Sequence, residues 1–220
     1  MVPPGFFGKI PGRGDFISRR VPGGIQQAWE DWLAGLVLAG REALEAEWPD
    51  AWLTAPLWHF SLGSGLVAPG GAVGVLVASV DRVGRYFPFS IIAAAAAGYC
   101  DDAATLDWSR AAEGLILGAL DDDADPDDLD AALTALGAPL LAAGPGARSG
   151  QWHLDLDGEW PVANPDPLAE RSRLPPGPGQ SVWWCRGSER MAPVHFRCTG
   201  LPGPHTTTAM LTGGFDFPDG

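Results

Sequence analysis

The sequence predicts an α/β protein of the α+β type, in which a central, mostly antiparallel sheet is flanked by helices on both faces. Several short apolar runs of strand length follow one another, and the segments between them, residues 63–72 and 81–86, are too short for a crossover helix. Amphipathic helical patterns stand before and after these runs. Consecutive strands without a crossover pair antiparallel, and helices grouped around them can cover the sheet.

The elements of the first half follow from local patterns. A turn at Pro11 and Gly12 separates two short extended segments. One long amphipathic helix is predicted from Pro22 to Pro49, because proline favours the first turn of a helix and the position after its end. The predicted strands of this half are residues 6–9, 13–17, 58–62, 74–80 and 87–97.

The second half predicts two helices, then strands. A helix covers residues 105–120, and Pro126 opens another that extends to residue 141, with Asp127 and Asp128 in its first turn, where they favour the helix dipole. The later predicted elements are strands at residues 152–157, 182–185 and 193–198 and a short helix at 204–211.

The predicted order through residue 142 is β-β-α-β-β-β-α-α, which is the order of longin-type domains. The expected organisation is a longin-like α/β core at residues 1–143 and a β-rich C-terminal extension at residues 151–220 that packs on the same domain. Topology of this kind does not determine function.

Composition excludes several functional classes. Apolar residues make up 46% of the chain, so it can bury a core, and its net charge of −13 opposes binding to nucleic acid and to anionic lipid. The three cysteines, Cys100, Cys185 and Cys198, form no C-x-x-C motif, and their odd, sparse number favours a reducing compartment. No signal peptide or membrane-length apolar stretch is visible, so we expect a cytoplasmic protein that is not membrane-embedded. The sequence has no Walker A motif, and we expect no cofactor.

One glycine motif imitates a nucleotide-binding fingerprint. Gly63, Gly65 and Ala68 fit G-x-G-x-x-A directly after a predicted strand. The fingerprint holds a pyrophosphate through the helix that follows it, whereas here a new strand follows. We therefore interpret these residues as a hairpin loop.

Two metal sites and one docking site remain as alternatives. Polar residues at alternate positions of the strand predicted at 152–157 would share one face, where oxygen and imidazole ligands could bind a metal. A zinc site is the second alternative, although two of its residues would lie on opposite faces of a strand. The two sets are His153, Asp155 and Asp157, and Cys185, His195 and Cys198. The acidic run at residues 121–130 is interpreted as a solvated connection, with docking of a basic partner as its alternative.

The segment SVDRVGRYFP at residues 79–88 joins two predicted central strands and concentrates charge. Asp81 can pair with either Arg82 or Arg85, and the remaining arginine would then be free to bind an external carboxylate or phosphate. The alternative is a charged turn in which Asp81 caps backbone amides and Gly84 supplies a positive φ.

These residues and several other ordered motifs resemble the TagF (also called ImpM) family of type VI secretion-associated proteins. The matching motifs are SVDRVGRYFP at residues 79–88, the opening GFFGKIPGRGDF at 5–16, WLTAP at 52–56 and the C-terminal GSER at 187–190. The resemblance implies a non-enzymatic accessory protein that represses secretion post-translationally by binding a forkhead-associated (Fha) scaffold protein.

The candidate contact residues are Asp81, Arg82 and Arg85, with Arg13 and Asp15 beside them if both turns lie at one end of the sheet. Further residues in the family motifs are Trp184, Ser188 and Glu189.

Two alternatives to a binding role remain open. In the first, the protein is a small-ligand sensor or a hydrolase-like enzyme with a pocket near residues 81–85, in which Ser188 and Glu189 serve as nucleophile and base. In the second, Asp15, Asp81 and the two arginines form a partly buried network that only fixes loop geometry.

Overall fold

A computed structural model describes residues 2–21, 25–67, 70–95, 103–139 and 176–215 of the chain. Its strands are β1 (Gly5–Gly8), β2 (Ile17–Arg19), β3 (Trp58–Leu62), β4 (Gly71–Val77), β5 (Phe89–Ala95), β6 (Gln180–Cys185) and β7 (Val194–Thr199). Its α-helices are α1 (Gln26–Leu44), α2 (Trp48–Leu53), α3 (Ala103–Gly118), α4 (Pro126–Leu136) and α5 (Pro204–Thr212).

The strands form one seven-stranded sheet within the described residues, in the order β2-β1-β5-β4-β3-β6-β7. All neighbouring strands are antiparallel. The predicted class, an antiparallel sheet with helices on both faces, is confirmed, and the strand–helix order through residue 136 is the predicted one with α2 added. Because β6 pairs with β3, the C-terminal strands extend the same sheet. The longin likeness and the domain boundaries stay predictions.

Each face of the sheet buries its own core because β4 is apolar on both sides. Val73, Val75 and Val77 lie in one core, while Ala72 and Leu76 lie in the other. This alternation explains why a continuous apolar run forms a central strand.

Helices α1, α2 and α5 cover one face with an aromatic core. The ring of Trp29 on α1 lies 4.8 Å from that of Phe60 on β3, and Trp183 on β6 packs against both. Trp29 Nε1 donates to Ser90 Oγ at 3.0 Å, so the polar end of this buried indole is also satisfied. Helices α3 and α4 cover the other face, where Ile116 and Leu133 are fully buried.

The prediction of one continuous helix to Pro49 is wrong. Helix α1 ends at Leu44, Glu45 adopts φ 45°, and a 3₁₀ turn at Glu45–Glu47 leads into α2, so Pro49 lies in the first turn of a second helix. The break lets Trp48 fold back against Gly40, where any β-carbon would collide with the indole ring. Tertiary packing therefore overrides the helical periodicity.

Other bounds differ by a few residues. Strand β2 starts where the predicted segment 13–17 ends, and β4 stops at Val77 because residues 79–81 already belong to the following turn. The strand predicted at 152–157, with its possible metal ligands, lies outside the described residues. No helix in the described part of the chain is both long and apolar enough to span a membrane.

Candidate functional site

Two turns meet at one end of the sheet because β1 and β5 are neighbours. Gly8, the last residue of β1, pairs with Phe89, the first of β5, so the turn after β1 and the turn before β5 leave the sheet together. The Arg82 amide donates to the Arg13 carbonyl at 3.0 Å, and the Arg85 guanidinium donates to the Gly14 carbonyl. We call residues 9–16 and 79–87 the joined turns.

Asp81 is the centre of the joined turns, and its side chain is fully buried. Its Oδ2 accepts from Lys9 Nζ at 2.9 Å and from Arg85 Nε at 2.6 Å. Its Oδ1 accepts from the amides of Val83 at 3.0 Å and Arg85 at 2.9 Å. Burial by itself raises the pKa of Asp81, but the Arg85 amide, Lys9 and the Arg85 side chain outweigh it and hold the pKa well below its ordinary range. Asp81 is therefore a structural carboxylate.

Lys9 is the member of this network that sequence reasoning missed. It is the single lysine of the chain and is 6% exposed, directly after an apolar strand. Its ammonium also lies 4.8 Å above the ring of Phe16. A lone lysine in an apolar context was the available signal, because a buried lysine needs a carboxylate partner.

The two arginines of the β4–β5 turn differ in their contacts. Arg85 is engaged by Asp81 and by the Gly14 carbonyl, although its side chain is 56% exposed. The Arg82 side chain is exposed and makes no ion pair or hydrogen bond within the described ranges. Asp15, on the other turn, is exposed and makes no ion pair in that part of the chain.

Apolar side chains accompany the exposed arginine. Val83 is 66% exposed and Phe16 47% exposed. The Phe16 ring is nevertheless held, since it packs edge-on against Phe87 at 4.7 Å and stacks on Phe7 at 5.7 Å. The joined turns therefore expose a cation and two apolar side chains, of which Phe16 is held in place by packing.

The acidic run is partly paired within the chain. Arg13 reaches Asp125 at 3.4 Å, Arg19 bonds to Asp127, and Arg20 reaches Asp130 at 2.5 Å. These pairs attach the start of α4 to the edge of the sheet at β2, although exposed pairs contribute little each. A polar groove of about 440 Å³ lies between them, and its charged residues pair across it.

Trp184 lies on β6, three strands across the sheet from β5, and Ser188 and Glu189 follow β6 in the chain. Ser188 Oγ accepts from the Arg190 amide at 3.2 Å in a local turn, and Glu189 is exposed beside it. Neither residue lines the groove next to α4. Trp184 is 1% exposed and stacks on His59 with ring centroids 5.2 Å apart, so it contributes to packing.

A buried polar pair on the α3 side was also missed. His59 Nε2 lies 3.2 Å from Glu113 Oε2, and Arg186 reaches the other oxygen at 3.7 Å. The hydrogen bond with His59 is the main reason that the pKa of Glu113 lies below its ordinary value. A histidine in the middle of a buried strand indicates such a partner.

The zinc alternative finds no support in the geometry. Cys185 is buried, its thiol donates to Met191 Sδ at 3.8 Å, and burial raises its pKa. Cys198 packs on the same side, whereas strand alternation directs His195 to the opposite face. No group of three or more His, Cys, Asp or Glu residues in the described ranges is arranged to hold a metal ion.

Comparison with known proteins places these turns in a family. The TagF N-terminal domain, type VI secretion system-associated, matches residues 5–136, which is more than half of the chain and includes both joined turns. This chain belongs to the TagF family. The TagF match ends with α4, so β6, β7 and α5 lie beyond it.

The fold is also that of a solved structure from a pseudomonad. The crystal structure of PA0076 from Pseudomonas aeruginosa PAO1 matches with a TM-score of 0.76 and 32% sequence identity, covering 98% of this chain and 97% of that chain. None of the curated proteins compared matches this chain. The TagF family membership confirms the resemblance found in the sequence.

Proposed function

We propose that this TagF-family chain is a non-enzymatic regulator that represses type VI secretion post-translationally by binding a forkhead-associated (Fha) scaffold protein. Association with type VI secretion follows from the family. The repression and the identity of the partner rest on the resemblance and are the content of the proposal.

The joined turns are the observation that carries the binding role. Asp81, Lys9 and Arg85 satisfy one another inside, while Arg82 and Val83 project into solvent. A catalytic centre would instead direct a reactive group and its base at a shared cavity. The outward chemistry of this end therefore supports recognition of a protein surface. We propose the turns that carry Arg13, Asp15, Asp81, Arg82 and Arg85 as the region of contact, with the buried Asp81 acting on the shape of this region and not as a contact itself.

The proposal places the protein in the bacterial cytoplasm, together with the scaffold. Cys185 and Cys198 are free thiols, which suits a reducing compartment.

A secretion assay tests this function. Deleting the gene should increase the release of a type VI substrate into the medium, and restoring the chain from a plasmid should reduce it again without changing the amounts of the apparatus proteins. The chain should co-purify with the Fha scaffold protein, and its deletion should have no effect in a strain that lacks the scaffold. Unchanged release after both deletion and overproduction would overturn repression, and absence of co-purification would overturn the partner.

A further inference from the structure

We infer that Phe16, Arg82 and Val83 form the partner-contact patch of the joined turns, and that this contact patch takes a protein segment with a carboxylate beside an apolar side chain. The inference rests on the proposed function and adds the chemistry of recognition. It also separates two arginines that the sequence left equivalent, with Arg82 facing the partner and Arg85 holding the turn.

Arg85 is committed to the interior of the joined turns. Its Nε donates to Asp81 at 2.6 Å and its terminal nitrogen to the Gly14 carbonyl, so it links one turn to the other. A partner carboxylate that bound Arg85 would have to displace its bond to Asp81, the buried anion that also pairs with Lys9. Such an exchange is costly because it would leave buried charge unpaired.

Arg82 has the opposite properties, since its backbone is fixed while its side chain is free. The Arg82 amide bonds to Arg13 at 3.0 Å, and the turn closes through the Gly84 amide, which donates to the Asp81 carbonyl at 2.9 Å. The tip of the turn therefore needs little ordering when a partner binds, which lowers the entropic cost of association. Its guanidinium keeps the fork that binds a carboxylate through two hydrogen bonds.

Two of the exposed large apolar side chains of the described residues lie in the joined turns. The exposed large apolar side chains in the described ranges are Val2, Phe16, Leu38, Leu53, Val83 and Leu117. Val83 and Phe16 share the joined turns with the unpaired arginine. Arginine and aromatic side chains are among the residues that most often anchor protein interfaces.

Charge defines the partner further. The chain as a whole carries −13, so a strongly acidic partner would be repelled by most of its surface. Asp15, exposed in the same turns, would oppose a run of carboxylates there. A segment with one carboxylate for Arg82 and an apolar neighbour for Val83 satisfies both conditions.

Titration of the full-length chain against the purified Fha scaffold protein tests the contact patch. Arg82→Glu and Val83→Asp should each weaken binding roughly tenfold or more. Arg82→Glu places a negative charge opposite the partner's carboxylate, and Val83→Asp places an unpaired polar group against the partner's apolar side chain. Arg110→Glu is the matched charge reversal, since Arg110 is 59% exposed on α3, where it pairs with Asp107 away from the joined turns, and it should bind like wild type. Thermal melts of all three variants should stay close to wild type, whereas Arg85→Ala should lower the melting temperature.

The outcomes separate the two proposals. If wild type does not bind the scaffold, the proposed function fails, and this inference fails with it. If wild type binds and the folded Arg82→Glu and Val83→Asp variants bind equally well, the contact patch is wrong while the proposed function stands. Support requires weaker binding by both variants with Arg110→Glu unaffected, and recovery of Arg82→Glu by an acidic-to-arginine change in the scaffold.

Discussion

Replacing Asp81 by asparagine tests what holds the joined turns. The variant keeps the volume of the side chain but removes its charge, and its amide nitrogen cannot accept a hydrogen bond. Lys9, which is 6% exposed, would then keep an ammonium group without its carboxylate. Removing one partner of a buried pair costs about 3–5 kcal/mol. The upper part of that range applies because the amides of Val83 and Arg85 also bond to this carboxylate.

The loss should be visible in both chemical and thermal unfolding. A domain of this size has a total stability of about 5–15 kcal/mol, so the melting temperature should fall by on the order of 10 °C. Buried indoles such as Trp29, Trp52 and Trp183 provide the fluorescence signal. Lys9→Met should cost less than Asp81→Asn, since Arg85 still pairs with Asp81. In the Lys9→Met background, Asp81→Asn should cost less than in wild type, with a coupling of about 0.5–3 kcal/mol.

The same pair predicts a dependence on pH. The pKa of Asp81 is depressed, so its contribution to stability is complete above the ordinary aspartate pKa of about 3.9 and is lost as the pH falls towards the native pKa. The free energy of unfolding should therefore fall more steeply below about pH 4 in wild type than in Asp81→Asn. Two parallel acid profiles, or a variant within about 1 kcal/mol of wild type at neutral pH, would refute this account of the network.

Three further changes test other parts of the fold. Gly84→Ala should lower the free energy of unfolding, measured in urea, by about 1–2 kcal/mol, because Gly84 has φ +82° although the space around it is open. Gly14 also lies in open space but has no positive φ, so Gly14→Ala should be nearly neutral. Glu113→Gln should flatten the acid side of the stability profile, since the bond to His59 depresses the pKa of Glu113 and its contribution is lost as the pH falls. Asp125→Ala should cost about 1 kcal/mol and lower amide exchange protection at the start of α4, because Asp125 caps that helix.

The sequence predicts the elements well where the pattern is local. The bounds of β3 are the predicted ones, and β4 and β5 appear with shifted ends, because continuous apolar runs of strand length have few other solutions. The break after α1 was not predictable in this way. Leu44 and Trp48 keep the helical spacing across it, and Glu45 carries no residue-type signal for a positive φ.

The site was predictable to the level of the two turns. Their meeting depends on β1 and β5 being neighbours, which the sequence left as a condition and the structure supplies. The ion pairs within the joined turns do not follow from the sequence. Lys9 and Asp81 stand 72 positions apart, and local spacing gives no reason to prefer Arg85 to Arg82 as the partner of Asp81. The folded turn determines which arginine pairs with Asp81. The Asp81 carboxylate is buried, where solvent does not screen its charge, and Arg85 is the arginine of this turn that reaches it.

This division of roles changes how mutations in the family motifs should be interpreted. In SVDRVGRYFP, Asp81, Gly84 and Arg85 serve the shape of the turn, and Lys9 of the opening motif serves the same buried anion. Loss of binding in an Asp81 variant is therefore first a loss of local structure. In the described part of the chain the side chains of Arg82 and Val83 make no such internal bonds, so at these two positions of the motif a folded, weakly binding variant measures contact with the partner.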